Sequence, residues 1–237
     1  MIEKRFNELY TRAFEKNYNT FTEFLNLDEQ SILSSTSLPC TRFGGYDYAE
    51  RIIAGFGMDV NTDDFPILCI KIRPVNQKFA DNLTHRDYLG AIMNLGIKRE
   101  MIGDIIVNHN TAYLFCHSQI ADYILDNLNK IRHTVVKTEL TDTVSDDIIS
   151  QPEHYELVVS SLRLDVIISA VYKLSRSETA RLFSNRRVFI NSRLTENTSY
   201  TVKDNDIISV RGFGRFIFSA QLRTTKKERI VIEILKY

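Results

Sequence analysis

Residues 160–210 read SSLRLDVIISAVYKLSRSETARLFSNRRVFINSRLTENTSYTVKDNDIISV. Apolar residues return at three- and four-residue spacing from Leu162 to Leu174 and again from Ser177 to Phe183, which predicts two short helices. Short β-like runs (VFIN, IISV) follow, separated by polar turns. Ser175 with Glu178 three positions on makes SRSE a capping box, in which the hydroxyl and the carboxylate satisfy the first free amides of the second helix. Arg176, Arg181, Arg186, Arg187 and Arg193 surround that helix and the turn after it, and Glu178 is the only acid among them before Glu196. A guanidinium is planar, permanently charged and able to bond two oxygens at once, so a group of five suits phosphate. The plainer alternative is a solvated charged face.

Outward from this stretch, charge is unevenly spread. The 237 residues carry 30 Lys plus Arg against 30 Asp plus Glu, a formal net charge of zero. Residues 1–151 hold 15 basic and 21 acidic side chains, a balance of −6, whereas residues 152–237 hold 15 and 9, a balance of +6. The zero therefore conceals a basic binding module on an acidic body. With 43% apolar and 25% charged residues, 9 Gly and 4 Pro, the chain is of globular type. No run of 18 apolar residues could span a bilayer, and MIEKRFNELY lacks the apolar core of a signal peptide, so a cytoplasmic protein is expected. Cys40, Cys69 and Cys116 are too scattered for a disulfide framework or a CxxC motif and read as reduced core thiols.

The chain opens with an amphipathic helix carrying Ile2, Phe6, Leu9, Tyr10, Ala13 and Phe14, then a second helical stretch from Thr22 to Leu33. A turn-rich segment with a short helix near Tyr48 to Ile53 completes a region of residues 1–64. Residues 65–141 become regular: a β-run FPILCIKIRP, a helix from Asp87 to Leu95, strands DIIVNH and TAYLFC, a helix from Gln119 to Lys130, and a strand HTVVKTEL. This βαββαβ order is that of the ferredoxin-like and RNA-recognition folds. Tyr113 and Phe115 alternate on one face without the Lys/Arg-Gly signature of a base-stacking strand, so they read as core aromatics facing the helices. Residues 142–152 are polar and acidic and end at Pro152, which suits a linker; residues 153–237 are then a small α+β module. The expected fold class is α+β throughout.

The 160–210 stretch resembles the alpha-L RNA-binding domain of small-subunit ribosomal protein S-four and its relatives. Such domains open one helix with arginine-leucine-aspartate, step into a second through serine-arginine, then run through valine-x-valine-asparagine to a late glycine-aspartate turn. Here Arg163, Leu164 and Asp165, then Ser175, Arg176, Ala180 and Leu182, then Val188, Ile190 and Asn191, and finally Asp206, Ile207 and Val210 supply the pattern. It departs at three usual glycines, occupied by Arg186, Ser192 and Asn205. SLPCTRFGGYDYAERI (37–52), LTHRDYLGAIMNLGIKREMIGDI (83–105) and GFGRF (212–216) are in turn similar to YlmH-type proteins, a bacterial family with this domain at the carboxyl end. That resemblance implies a non-enzymatic RNA-binding protein of the large ribosomal subunit and its tRNA, acting in rescue of stalled translation and linked to cell-division gene clusters. It implies no cofactor, and a monomer is expected.

Arg176, Arg181, Arg186 and Arg187 are the expected phosphate contacts, with Asn191, Arg193, Arg211 and Arg215 as secondary contacts and Arg163, Lys173, Ser175, Ser177 and Asn185 completing the face. Tyr46, Arg51, His85, Arg86, Lys98 and Arg99 form a candidate second surface for RNA or a partner. For His85 and Arg86 the nearer explanation is a Thr84/Asp87 helix cap; for Lys98 and Arg99, a basic pair at a helix end. Three enzyme readings fail on context. Arg163-Leu164-Asp165 imitates a pseudouridine synthase motif but lies within the binding domain, and Lys173 to Ser177 (KLSRS) imitates a tRNA synthetase loop without its partner motif. GFGRF leads into strand-like rather than helical sequence, against a nucleotide site. The five histidines show no metal-ligand spacing. The alternatives are an adaptor whose acidic front domain docks a ribosomal or division protein, and a degenerate RNA-modifying enzyme such as a pseudouridine synthase relative.

Overall fold

The computed structural model describes residues 2–47, 49–142 and 153–236. The chain divides into two compact units, Met1–Glu29 with Ser35–Ile149, and Gln30–Ser34 with Ser150–Tyr237. Most of the expected linker, residues 143–152, lies outside the described residues.

Helix α1 (Ile2–Lys16) buries Phe6, Leu9 and Ala13, the face its apolar spacing predicts. Then come β1 (Thr20–Phe21), α2 (Leu27–Ser35), β2 (Thr41–Phe43) and β3 (Ile53–Phe56), the strands forming an antiparallel sheet in the order β1-β3-β2. The helix expected from Thr22 starts only at Leu27, because residues 22–25 are extended alongside β3. Thr22 and Leu25 give their amides to the Ala54 and Ile52 carbonyls at 3.0 and 2.7 Å. Asn26 and Glu29 set the true start: the Asn26 side chain accepts the Asp28 and Glu29 amides, and Glu29 accepts the Asn26 amide at 2.8 Å. The helix expected near Tyr48 to Ile53 is likewise corrected. Tyr48 lies outside the described residues, the amides of Glu50 and Arg51 bond to the Asp104 carboxylate, and Ile53 opens a strand buried at all four positions.

The next elements are β4 (Ile67–Pro74), α3 (His85–Met93), β5 (Ile102–Asn108), β6 (Thr111–His117), α4 (Ser118–Asn127), β7 (Lys130–Ile131) and β8 (Thr134–Thr141). All pairings are antiparallel, in the order β5-β6-β4-β8-β7. Strand alternation gives this sheet two apolar faces. Ile70, Ile72, Ala112, Leu114 and Cys116 pack with Tyr88 and Ile92 of α3 and Ala121 and Ile124 of α4. On the opposite face Phe115 joins Phe24, Ile53 and Phe65, with Phe21, Phe43 and Tyr46 at the margin. Tyr113 and Phe115 are core residues, 5% and 3% exposed, but they face away from the helices, and Phe115 lies beneath side chains of the first 65 residues. The Tyr46 ring stacks on Phe115 at 4.9 Å. Gly45 permits that approach: at φ +98° a Cβ there would stand 2.3 Å from the Phe115 ring. Burial pushes the Cys69 and Cys116 thiols up to about 12.

The second unit contains β9 (Glu153–Val159), α5 (Leu164–Tyr172), α6 (Arg176–Ser184), β10 (Val188–Ile190), β11 (Arg193–Leu194), β12 (Asp206–Val210), β13 (Gly214–Thr224) and β14 (Ile230–Lys236). Its strands form one antiparallel sheet in the order β11-β10-β12-β13-β14-β9. Leu164, Ile167, Ile168, Leu182 and Phe183 of the two helices pack with Val188, Ile208, Val210, Phe216, Phe218, Ile232 and Ile234 of the sheet. β9 escaped the sequence reading because it is an edge strand with five of its seven residues exposed, so EHYELVV carries little apolar signal.

Candidate nucleic-acid interface

α5 ends at Lys173, whose backbone is left-handed at φ 54°, and the chain turns directly into α6. The turn is held by Ser169 Oγ, which donates to the Leu174 carbonyl at 2.7 Å. Ser175 then caps α6 as its sequence predicts. Its Oγ accepts the Glu178 amide at 3.2 Å, while the Glu178 carboxylate accepts the Ser175 amide at 2.8 Å and hydroxyl at 2.6 Å. These bonds hold the Glu178 carboxyl below its ordinary range. The negative charge also lies at the positive end of the helix, so an anion must be drawn to this region by side chains more than by the dipole.

Thr179, Leu182 and Phe183 turn one side of α6 to the core. The helical period leaves Arg176, Ser177, Ala180, Arg181 and Ser184 exposed, followed by Asn185, Arg186 and Arg187 in the turn. Among the described residues Arg176, Arg181 and Arg187 have no carboxylate within ion-pairing distance. Arg186 has Glu196 at 3.7 Å, with both side chains well exposed. Arg186, Ser192 and Asn205, the three positions where a glycine is usual, all adopt the left-handed backbone, with φ of 55°, 63° and 67°. The substituted residues thus keep a geometry that normally favours glycine.

Other expected contacts are already engaged. Arg163 makes a two-pronged pair with Asp165 at 3.0 and 2.8 Å, which holds the Asp165 carboxyl below its ordinary range. Arg193 donates to the Ser34 carbonyl at 3.2 Å. The Arg211 guanidinium lies 5.3 Å from the Phe189 ring centre, and Arg215 is half-buried on β13. Asn191 is a structural bracket: its amide donates to Asp206 at 2.8 Å and its oxygen accepts the Ile207 amide at 2.9 Å. The tip of the β13–β14 hairpin went unread. Its turn is closed by the Thr225 amide on the Arg229 carbonyl at 2.7 Å and the Glu228 amide on the Thr225 carbonyl at 2.9 Å, with Lys226, Lys227 and Arg229 exposed. The signal was the run TTKKER between two β-patterns.

The candidate second surface resolves into different roles. Tyr46 donates its hydroxyl to Asp104 at 2.9 Å, and the Arg51 guanidinium clamps the carbonyls of Ile102, Phe24 and Arg99 at 2.9, 2.9 and 3.3 Å. Arg99 donates to Ile102 at 2.6 Å and Gly103 at 3.3 Å, not to the end of α3 as its position after Gly96 suggested. Burial, and for Arg99 the neighbouring Arg51 cation, lowers both guanidiniums, Arg99 to about 10. Burial and Arg99 likewise hold the His85 imidazole below its ordinary value. The Thr84/Asp87 cap is present, with the carboxylate accepting the Thr84 amide at 2.9 Å and hydroxyl at 2.7 Å. Arg86 and Lys98 are exposed.

Residues 61–146 match the family described as "Putative RNA-binding domain in YlmH". The chain is 31% identical over 229 residues to "Ribosome-associated protein quality control protein P2" of Bacillus subtilis (strain 168), spanning 93% of this chain and 88% of that protein. The solved structure titled "Cell division protein ylmH from Streptococcus pneumoniae" is 26% identical with a TM-score of 0.48, covering 59% of this chain and 88% of that one. Identity at this level over nearly the whole length of both proteins settles kinship: the chain belongs to the YlmH family.

Proposed function

We propose that this protein is a cytoplasmic, non-enzymatic RNA-binding protein that associates with the ribosome, gripping structured ribosomal or transfer RNA through an alpha-L-like second unit. The observation that carries this reading is the exposed set of Arg176, Arg181 and Arg187, which among the described residues have no carboxylate within ion-pairing distance, in the segment whose charge balance is +6. The left-handed turns at Arg186, Ser192 and Asn205 support the alpha-L comparison. The name of the Bacillus subtilis relative supports the ribosome as the setting and protein quality control as the process, which we read as rescue of stalled translation. The strand order of the larger sheet in the first unit supports a ferredoxin-like reading of that part. Paired RNA hides its base edges in a deep narrow groove, so an arginine face of this kind recognises backbone shape. Lys226, Lys227 and Arg229 at the hairpin tip add three exposed cations to the same unit.

The test is a salt titration of the full chain on purified ribosomal RNA and on tRNA. Several phosphate contacts give a log-log slope of roughly −0.7 to −0.9 for each contact. Arg176→Glu with Arg181→Glu is expected to weaken binding at least tenfold and flatten that slope while the thermal melt is retained. Salt-independent affinity, or full affinity in the folded double variant, would overturn the assignment.

A further inference from the structure

The first unit carries a feature that the second unit's arginines do not explain. On the helix side of its larger sheet, α3 and the segment following α4 border a cavity of about 480 Å³. Arg86, Lys130 and Arg132 line it together with Asn94, Asn127 and Asn129. One carboxylate, Asp87, lines it as well; it is held by the Thr84 amide and hydroxyl and lies 3.6 Å from Arg132. The lining is therefore cationic inside a segment whose balance is −6.

Gly90 is the second observation. It occupies the middle of α3, one turn from Arg86 and from Asn94, and it also lines the cavity. A Cβ at Gly90 would meet nothing within 4 Å, and its backbone is not left-handed. Glycine inside a helix is destabilising relative to alanine, and neither packing nor backbone geometry requires it here. What a missing side chain provides is close approach to the helix from outside. Phe115, on the sheet face that recognition folds use for stacking bases, is meanwhile only 3% exposed.

We infer that this groove is a second RNA site, which takes an unpaired stretch of strand. Arg86, Lys130 and Arg132 hold phosphates, the Asn94 and Asn129 amides offer paired donors and acceptors to exposed base edges or ribose hydroxyls while Asn127 is bonded to the Tyr123 carbonyl, and Gly90 lets the strand lie against α3. The inference rests on the RNA-binding reading above and adds where the first unit makes contact.

Full-length protein is titrated by fluorescence anisotropy against a fluorescein-labelled RNA stem-loop with an unpaired loop. Four variants are compared with the unaltered chain: Gly90→Gln, which fills the groove, Gly90→Ala as its helix control, Arg86→Glu with Lys130→Glu, and Arg12→Glu with Lys16→Glu on α1 as a charge control. Gly90→Gln and the groove pair are expected to lose affinity about tenfold, the groove pair with a salt slope shallower by about one to two. Gly90→Ala and the α1 pair are expected to stay within about twofold. Unchanged binding by folded Gly90→Gln and the groove pair would overturn the inference while leaving the second unit's role intact. Equal loss in the α1 pair would reduce the effect to overall charge and overturn it too. Failure of the unaltered chain to bind any RNA would remove both readings.

Discussion

Asn191 and Asp206 are locked side chain to side chain across β10 and β12, with the amide 2.8 Å from a carboxylate that is 5% exposed. Asp206 also accepts the Tyr200 hydroxyl at 3.0 Å and the Lys203 amide at 2.8 Å. Asp206→Ala removes the shared acceptor of three partly buried hydrogen bonds and is expected to cost about 2–3 kcal/mol in denaturant unfolding. Asn191→Ala should cost roughly 1–2 kcal/mol. RNA affinity per folded molecule is expected to be little changed in Asn191→Ala; a stable variant with weak binding would return Asn191 to the contact surface.

The α6 cap gives the second unit an acid-sensitive element. Hydrogen bonds from Ser175 hold the Glu178 carboxyl below its ordinary value, so the stability it contributes is present above the unfolded pKa, near ~4.3. That contribution is lost as pH falls through the lower folded value. Glu178→Gln is expected to flatten this part of the stability-versus-pH curve, read by thermal melts across the acid range. Ser175→Ala should lower stability by about 1 kcal/mol at neutral pH.

Phe115 separates a packed core from a stacking platform. Phe115→Ala should cost about 3–5 kcal/mol, because the ring fills the space between the sheet and the Tyr46, Phe24 and Phe65 side chains. RNA affinity measured well below the midpoint of unfolding should be unaltered. A large affinity loss in a variant of nearly full stability would mean the ring reaches RNA after all.

Arg51 is expected to resist even conservative replacement. Arg51→Lys keeps the charge but cannot reach the Ile102, Phe24 and Arg99 carbonyls together from one planar group, so a loss of about 2 kcal/mol is expected in chemical denaturation. Lys98→Ala, on an exposed side chain 4.0 Å from Glu100, should change stability by less than ~0.5 kcal/mol.

What could be read in advance follows the physics of each element. The βαββαβ order was legible because six- to ten-residue apolar runs bounded by polar turns alternate with helical stretches, and the α6 cap because its two residues lie three apart. IAGF of β3 is buried at every position and so has no alternation to betray a strand. Nor could local sequence place Phe115 under the first 65 residues, since that packing joins segments far apart in the chain. At the candidate interface, counting arginines does not show which of them are already engaged within the protein. Arg163 and Arg193 look alike in sequence to Arg181, yet a carboxylate two residues away and a distant carbonyl occupy them. The groove beside Gly90 drew basic residues from α3 and from the β7 turn, more than forty positions later.

The cover over the sheet has a practical corollary for dissecting the protein. A fragment cut to residues 61–146 would strip Phe24, Ile53 and Tyr46 from Phe115 and uncover neighbours such as Ile67, Cys69 and Ile106. Such a fragment would present an apolar sheet surface to water and is expected to self-associate, and its stickiness toward any polymer would mimic affinity. A cut near residue 150 leaves residues 1–64 on the sheet they cover, but it takes Gln30–Ser34 from the second unit, where the Arg193 guanidinium and the Leu194 amide bond to Ser34 and Ser31.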